Sequence, residues 1–264
     1  MKLLSLNAWG GRLHDRLIPF LRDRDPDVLC LQEVTRAPAP CSAWVEYRDA
    51  ERVLPQRADL FRDVAAALPE HDGVFCACAR GVLFDGAREA ASHWGLATFV
   101  RRDLAMVGQA QAFVHGGFLP EGFGPHPRPR NSHGVRVWDA AAGRFVTVVQ
   151  VHGLRDARGK GDTPERAAQA RRLLALLQGL AEAGDLRVVC GDFNLRPDSE
   201  TFDLLRGAGL RDLVTEGGHD GTRTSLYAKA ERFADYLLTD GAPLGFEVVR
   251  APEVSDHCPL ALEI

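Results

Sequence analysis

The chain has 264 residues, 45% of them hydrophobic and 26% charged, and its 32 Lys and Arg against 36 Asp and Glu leave a net charge of −4. This length accommodates one large domain or two small ones with a substantial core, the composition is that of a soluble globular protein, and the basic balance of a non-specific nucleic-acid binder is absent, which leaves room for a local basic patch. No apolar run approaches the ~18 residues of a membrane span, so stable membrane insertion is not expected. Met1 to Leu6 is too short for the apolar part of a signal peptide. The six cysteines lie mostly in apolar runs (Cys30, Cys190) or in Cys76-Ala77-Cys78, without zinc-ligand spacing. They read as reduced, buried thiols of a cytoplasmic protein.

Taken in chain order, Lys2 to Asn7 reads as an apolar strand with a polar end. Leu13, Leu17, Phe20 and Leu21 share one face of a helix from about Leu13 to Arg22, and Pro26 breaks it. Asp27 to Leu31 is the next expected strand, with Gln32-Glu33 at its end. Pro38 to Pro55 reads as loop and Ala58 to Leu68 as helix. Val74 to Ala79 and Leu96 to Arg101 read as strands around a Gly-rich linker, and Leu104 to His115 continues the strand pattern. Gly116 to Pro129 is rich in Gly and Pro, carries Phe118, Leu119 and Phe123, and has Arg128 and Arg130 at its end. It predicts a long surface loop, a kind of segment that often carries function.

Val135 to Trp138 and Arg144 to Val151 predict a hairpin turning at Ala141-Ala142-Gly143 and ending at His152-Gly153. Thr163 ahead of Pro164, or Asp162 with Glu165 as a capping box, starts a helix that runs to about Ala183. Strand Leu186 to Gly191, a helix near Ser199 to Leu205, strand Phe233 to Thr239 and a strand pair, Phe246 to Arg250 and Pro259 to Ile264, complete the chain. The order strand, Asn7, helix, strand, Glu33 is echoed by strand, His152, helix, strand, Asp192. This repeat of topology predicts an α/β chain in which two packed sheets are covered by helices, with both sets of strand ends at one edge. No Pro/Gly/Ser linker marks a boundary, so residues 1–264 are expected to form a single domain.

The run Val188 to Pro197 holds Asp192 and Asn194 two residues apart at the end of a strand, where alternate side chains point the same way. Such a pair suits a bound water or metal ion, and equally an Asx turn. Asn7, Glu33, His152, Asp192, Asn194, Asp235, Asp256 and His257 all fall at strand ends or in turns after strands. Hard oxygen donors (Glu33, Asp192, Asn194, Asp256) suit Mg²⁺ or Mn²⁺, and two histidines can move protons and carry charge near neutral pH. Arg155, Arg158 and Lys160 precede the helix start at Thr163, so a basic loop adjoins a positive helix end. Both features favour phosphate, and the same loop is also compatible with simple solvation.

Leu6-Asn7, Leu31-Gln32-Glu33-Val34, Val151-His152-Gly153-Leu154, Gly191-Asp192-Phe193-Asn194, Ala234-Asp235-Tyr236 and Ser255-Asp256-His257 occur in the order of the endonuclease/exonuclease/phosphatase superfamily, which the chain resembles from end to end. The resemblance implies a four-layer α/β/β/α sandwich and metal-dependent hydrolysis of a phosphoester. It implies Glu33 as the principal Mg²⁺ ligand, with Asn7 beside it and Asp256 close to the metal. Asp192 would orient or deprotonate the attacking water, and Asn194 would hold that water or a phosphate oxygen. His257, oriented by Asp235, would stabilise the transition state or assist the leaving group. His152 matches the phosphate-facing His of the deoxyribonuclease and sphingomyelinase branches, where AP endonucleases carry Tyr, and so argues against a plain AP endonuclease. The expected activity is that of a monomeric phosphodiesterase with nucleic acid as the first substrate class and a small phosphoester or phospholipid as the second. The alternative of a different class is a phosphate-binding protein without catalysis, against which every catalytic-type position is filled by a competent residue.

Overall fold

Apolar side chains on both faces of the first strand set the architecture. In β1 (Lys2–Asn7), Leu3 enters one hydrophobic cluster while Leu4 and Leu6 enter another on the opposite face, as alternate residues of an extended segment must. The computed structural model describes residues 1–49 and 52–264. From β1 the chain continues through α1 (His14–Arg24), β2 (Val28–Arg36), β3 (Trp44–Arg48), β4 (Val53–Arg57), α2 (Leu60–Ala67), β5 (His71–Asp85) and β6 (Arg88–Arg101). The second half adds β7 (Ala105–His115), β8 (Arg130–Asp139), β9 (Arg144–His152), α3 (Pro164–Leu180), β10 (Leu186–Asp192) and α4 (Glu200–Gly207). It closes with β11 (Arg211–Asp212), α5 (Leu213–Glu216), β12 (Asp235–Thr239), β13 (Gly245–Val248) and β14 (Leu260–Glu263).

Eight strands form one sheet in the order β13-β14-β1-β2-β6-β5-β3-β4, and six form the other in the order β11-β12-β10-β9-β8-β7. Each is mixed: β1 runs parallel to β2 and β9 parallel to β10, within otherwise antiparallel neighbours. Leu17, Phe20 and Leu21 of α1 and Leu60 and Val64 of α2 cover Leu29, Leu31 and Phe99 on the outer face of the larger sheet. Leu173 and Leu177 of α3 and Phe202 and Leu205 of α4 cover the smaller one. The result is an α/β/β/α sandwich. Thr163 caps α3 through the Arg166 N–H, with Pro164 at its first position. Asp162, the other candidate for that start, instead accepts from Ser199 and the Glu200 N–H and ties α3 to the start of α4.

Between the sheets, Cys30 of β2 meets Cys190 of β10, and a buried polar network crosses the interface. Gln32 Nε2 donates to Gln150 Oε1 (2.9 Å), Gln150 Nε2 donates to Thr98 Oγ1 (2.7 Å), and Thr98 Oγ1 pairs with His133 Nδ1 (2.8 Å). These bonds tie the two sheets in one register, although Gln32 Oε1 is left buried without a partner.

Several boundaries differ from the sequence reading. The segment 38–55 is not all loop: it contains β3 and most of β4, paired antiparallel, with Ala50 and Glu51 outside the described residues. β4 is the edge strand and β3 its neighbour, and apart from Val45 their side chains are only half-buried or exposed, so the signal of a buried strand is weak. The Gly-rich linker between Ala79 and Leu96 is instead a continuous hairpin, paired from His71↔Arg101 to Asp85↔Arg88 and turning at Gly86. β2 continues past Leu31 to Arg36, with a register shift that leaves Glu33 in a bulge at φ 55°. Helix α3 stops at Leu180 because Ala181 turns extended, and β11 and α5 have no counterpart in the expectation. All six cysteines are free, and Cys41 is half-buried. Among the described residues, no helix is long and apolar enough to cross a membrane.

Candidate active site

Strand register builds the site. Asp192, the last residue of β10, lies opposite His152, the last of β9, and opposite Asp235, the first of β12. Three buried ionisable side chains therefore form one row across three strands. Alternation along β10 aims Asp192 at the other sheet, the same way as Cys190, and there Asn7 ends β1. The strand ends approach too closely for side chains: a Cβ on Gly191 (φ 130°) would lie 2.1 Å from the Val151 carbonyl oxygen, and one on Gly153 would lie 2.3 Å from that of Phe193. Ser255 Oγ donates to the Asn7 carbonyl (2.7 Å) and accepts from the His257 N–H (3.2 Å), pinning the Asp256-His257 turn to the end of β1.

The Asp192 carboxylate is the hub. Its Oδ1 accepts from the Asn194 N–H (2.9 Å) and its Oδ2 from Asn7 Nδ2 (3.0 Å). The Nε2 atoms of His152 and His257 lie 3.7 and 3.8 Å from that same Oδ2. Asp235 holds Nδ1 of His257 at 2.8 and 2.9 Å, which turns its Nε2 toward Asp192 and Asp256. Arg223 donates to Asp256 Oδ2 (2.9 Å) and leaves Oδ1 buried without a hydrogen-bond partner. Glu33 Oε1 faces His152 Nε2 at 3.9 Å. Asn194 takes a left-handed conformation (φ 54°) and donates to the Gly153 carbonyl (3.3 Å). The eight strand-end candidates are thus assembled around one point, and the long cleft above them encloses about 640 Å³.

Burial dominates the electrostatics. It pushes the Glu33 carboxyl up to about 7, with the charges of Asp256 and Asp192 adding to the effect. It pushes Asp235 up to about 7 against the pull of Arg223 and Lys160, and it drops His257 to about 4 with Arg223 adding. His152 falls well below the usual imidazole range through burial and then the Arg130 and His257 charges. The imidazoles are therefore neutral near pH 7, and the positive charge at the acidic cluster comes from Arg223, Arg130 and Lys160. Among the described residues, ligand atoms of Asp192, Asp235 and His257 lie within 4.8 Å of one another. Both Asp235 oxygens already serve His257, whereas Asp256 Oδ1 is orphaned and Glu33, although Asn7 and Arg130 favour its charge, is still pushed up by burial and the neighbouring carboxylates. A cation at Glu33 and Asp256 would relieve both.

Of the basic loop, Arg155 and Lys160 line the cleft, and Lys160 donates to the Phe233 carbonyl. Arg158 does not line it: it is exposed and paired with Asp156 (2.6 Å) and Glu165 (3.6 Å). Four further residues escaped the sequence reading of the site. Arg223 sits in an irregular stretch with no adjoining motif. Arg130 is buried at the start of β8, donates to the Gly153 carbonyl (2.8 Å) and lies 5.2 Å over Trp94, whose ring is 5.2 Å from His152. Arg166 is fully buried and donates to the carbonyls of Leu154, Gly159, Gly161 and Asn194, fixing the cleft-lining loop and Asn194 together. Only proximity to the Thr163 cap hinted at Arg166, and nothing local marked Trp94.

A model of the endonuclease/exonuclease/phosphatase family matches residues 4–257. No curated protein matches the chain significantly. Among solved structures, a mannosyl-6-phosphatase of Bacteroides thetaiotaomicron superposes with TM-score 0.69 at 16% identity, covering 100% of this chain and 98% of that one. The human nocturnin catalytic domain with bound sulfate gives TM-score 0.62 at 19% identity, over 99% and 92% of the two chains. A humanized D. rerio TDP2 gives 0.64 at 17% identity, over 99% and 97%. At these identities the likenesses speak to the fold.

Proposed function

We propose that this chain, which belongs to the endonuclease/exonuclease/phosphatase family, is a Mg²⁺- or Mn²⁺-dependent phosphodiesterase with nucleic acid as its first substrate class. Hydrolysis of phosphoesters is the chemistry of the family. The observation that carries the finer reading is the convergence of Asn7 and the two imidazole Nε2 atoms on Asp192 Oδ2. Asp192, its other oxygen engaged by the Asn194 N–H, orients the attacking water and takes its proton. His257, fixed through Nδ1 by Asp235, presents Nε2 to the phosphoryl oxygens or to the leaving group. His152, braced by Trp94, faces the phosphate from the other side. Asn194 holds the water or a phosphoryl oxygen, and Arg155 and Lys160 attract the substrate's charge. The donors present fit a hard divalent cation: Glu33, Asp256 and Asn7 would hold it, and when bound it supplies charge neutralisation at the phosphoryl group.

Trp9, Trp94 and Tyr227 beside the cationic side chains give the cleft surfaces on which bases can stack, which favours nucleic acid. A second reading, a phosphorylated small molecule, is favoured by the cleft volume of about 640 Å³, which falls in the range of small-ligand sites. Six free thiols fit action in a reducing compartment such as the cytoplasm, and we take the chain to work as a monomeric single domain. A parallel screen of plasmid DNA, single-stranded oligonucleotide, sphingomyelin vesicles, inositol phosphates and sugar phosphates with Mg²⁺ and Mn²⁺ tests the reading. Turnover of the nucleic acids first is expected. Turnover of sugar phosphates alone would replace it with the second reading.

A further inference from the structure

Beyond Arg130 the cleft continues to an end walled by Tyr47, Phe123, His126 and Arg128, with Arg52 and Arg155 on its rim. We propose that this end is an anion subsite that receives a second phosphoryl group of the substrate, one that is held and not attacked, with Arg128 as its main ligand and Arg52 and Arg155 beside it. The proposal rests on the phosphoester-hydrolase reading of the same cleft.

The charge there is only partly compensated. Arg128 donates to the Gly124 carbonyl (3.0 Å) and the Tyr47 hydroxyl (2.8 Å), both neutral, and lies 5.5 and 6.0 Å from the ring centres of Tyr47 and Phe123. Arg130 likewise spends its hydrogen bonds on the carbonyls of Gly153 and Pro129. Among the described residues, no carboxylate forms an ion pair with Arg128, Arg130 or Arg155, and Arg52 has only Asp49 at 3.4 Å. Three other shielded arginines have carboxylate partners, Arg57–Asp63, Arg136–Asp185 and Arg223–Asp256, whereas Arg166, like Arg128, is held by neutral acceptors but spends its donors on four carbonyls. Guanidinium groups that are preorganised by neutral contacts, concave and unpaired are what an incoming phosphate needs. His126 reports the same field: after burial, Arg128, Arg155, Arg130 and Arg52 together drive its imidazole down to about 4.

The wall is built rather than loose. Leu119 of the 116–129 loop bridges to Ala79, and its carbonyl accepts from the Arg80 N–H (2.8 Å). Phe123 packs with Tyr47 against the small core of Val45, Ala58 and Leu83. β3, which carries Tyr47, is attached to β5 through Glu46↔Phe84. The reactive row at the other end is acidic, with Glu33, Asp192 and Asp256, so a second substrate anion is repelled there and directed to the cationic end. The second group could be the next phosphodiester of a strand or the second phosphate of a small bisphosphate, and the test separates these sources.

Equilibrium binding is measured by calorimetry in EDTA, so that turnover does not intervene. Adenosine 3′,5′-bisphosphate is compared with adenosine 5′-monophosphate, and fructose 1,6-bisphosphate with fructose 6-phosphate. In the wild type, the bisphosphate of at least one pair is expected to bind about 10-fold or more tightly than its monophosphate, and Arg128→Ala is expected to reduce that ratio to about 2-fold or less. Arg52→Ala, at an exposed position, carries the same test should Arg128→Ala fold poorly. A ratio confined to the nucleotide pair supports a strand phosphate, and a ratio in both pairs supports any second phosphate. Equal affinities within both pairs, absence of binding at millimolar concentration, or a ratio retained in a folded Arg128→Ala overturns the subsite. Loss of hydrolysis without loss of the ratio would count against the activity reading alone.

Discussion

Three side-chain nitrogens approach one oxygen, Asp192 Oδ2, while the partner oxygen takes a backbone N–H. At the scale of the residue, this convergence is what supports the proposed role of Asp192 as base. Asp192→Asn keeps the volume and most contacts but loses the base, and His257→Ala removes the imidazole that Asp235 orients. Each is expected to lower the rate by at least ~10²-fold while the protein still folds. Near wild-type rates in both would remove them from the reaction. Arg223→Met leaves Asp256 buried without its partner, and equilibrium unfolding should show a loss on the order of 3 kcal/mol without added cation. The sequence made Asn7, Glu33, His152, Asp192, Asn194, Asp235, Asp256 and His257 legible because each belongs to a short run with a strand before it. Arg223, Arg130 and Arg166 were not legible as site residues, since their roles depend on partners far away in the chain.

At the scale of the element, the site depends on strands that end together. Gly191 permits the last step of β10, and Gly191→Ala combines a strained φ of 130° with a Cβ 2.1 Å from a carbonyl oxygen. A destabilisation of about 3 kcal/mol or more is expected, measurable by urea unfolding, together with loss of activity. An alanine variant as stable as the wild type would show that the strand end can shift. Strand periodicity located β1, β9 and β10 because their side chains are buried on both faces, so apolarity marked them. It failed for β3, β4 and the outer half of the β5–β6 hairpin, where few side chains are buried beyond Val45 and Leu83 and pairing carries most of the strand character. These are the elements that deepen the cleft and carry Tyr47, so the distal wall was the part of the site least visible in advance.

At the scale of the whole molecule, two buried titratable groups outside the reactive row set the acid side of stability. Burial lowers His133 from 6.5 to about 4, so between those values the unfolded chain binds a proton that the folded one refuses. Stability is thus full above about 6.5 and declines as pH falls through about 4, by roughly 2–3 kcal/mol from this group. Asp185 is held down at about 2, where the hydrogen bonds from Arg136, the Glu182 N–H and Thr147 outweigh its burial. Its contribution is present above 3.8 and is lost as pH falls through about 2. Urea midpoints across pH should therefore fall in two windows, with His133→Gln lessening the first fall, which His257 and His126 share, and Asp185→Asn lessening the second. A midpoint independent of pH from 7 to 4 would contradict the buried neutral imidazole.

The most direct measurement is hydrolysis of bis(p-nitrophenyl) phosphate by wild type and Asp192→Asn with Mg²⁺, Mn²⁺ or EDTA. Turnover with either cation is expected, abolished by EDTA, restored on adding the cation back, and at least ~10²-fold slower in a fully folded Asp192→Asn. Turnover that survives EDTA, or an Asp192→Asn enzyme as fast as the wild type, would contradict a cation-assisted reaction centred on Asp192.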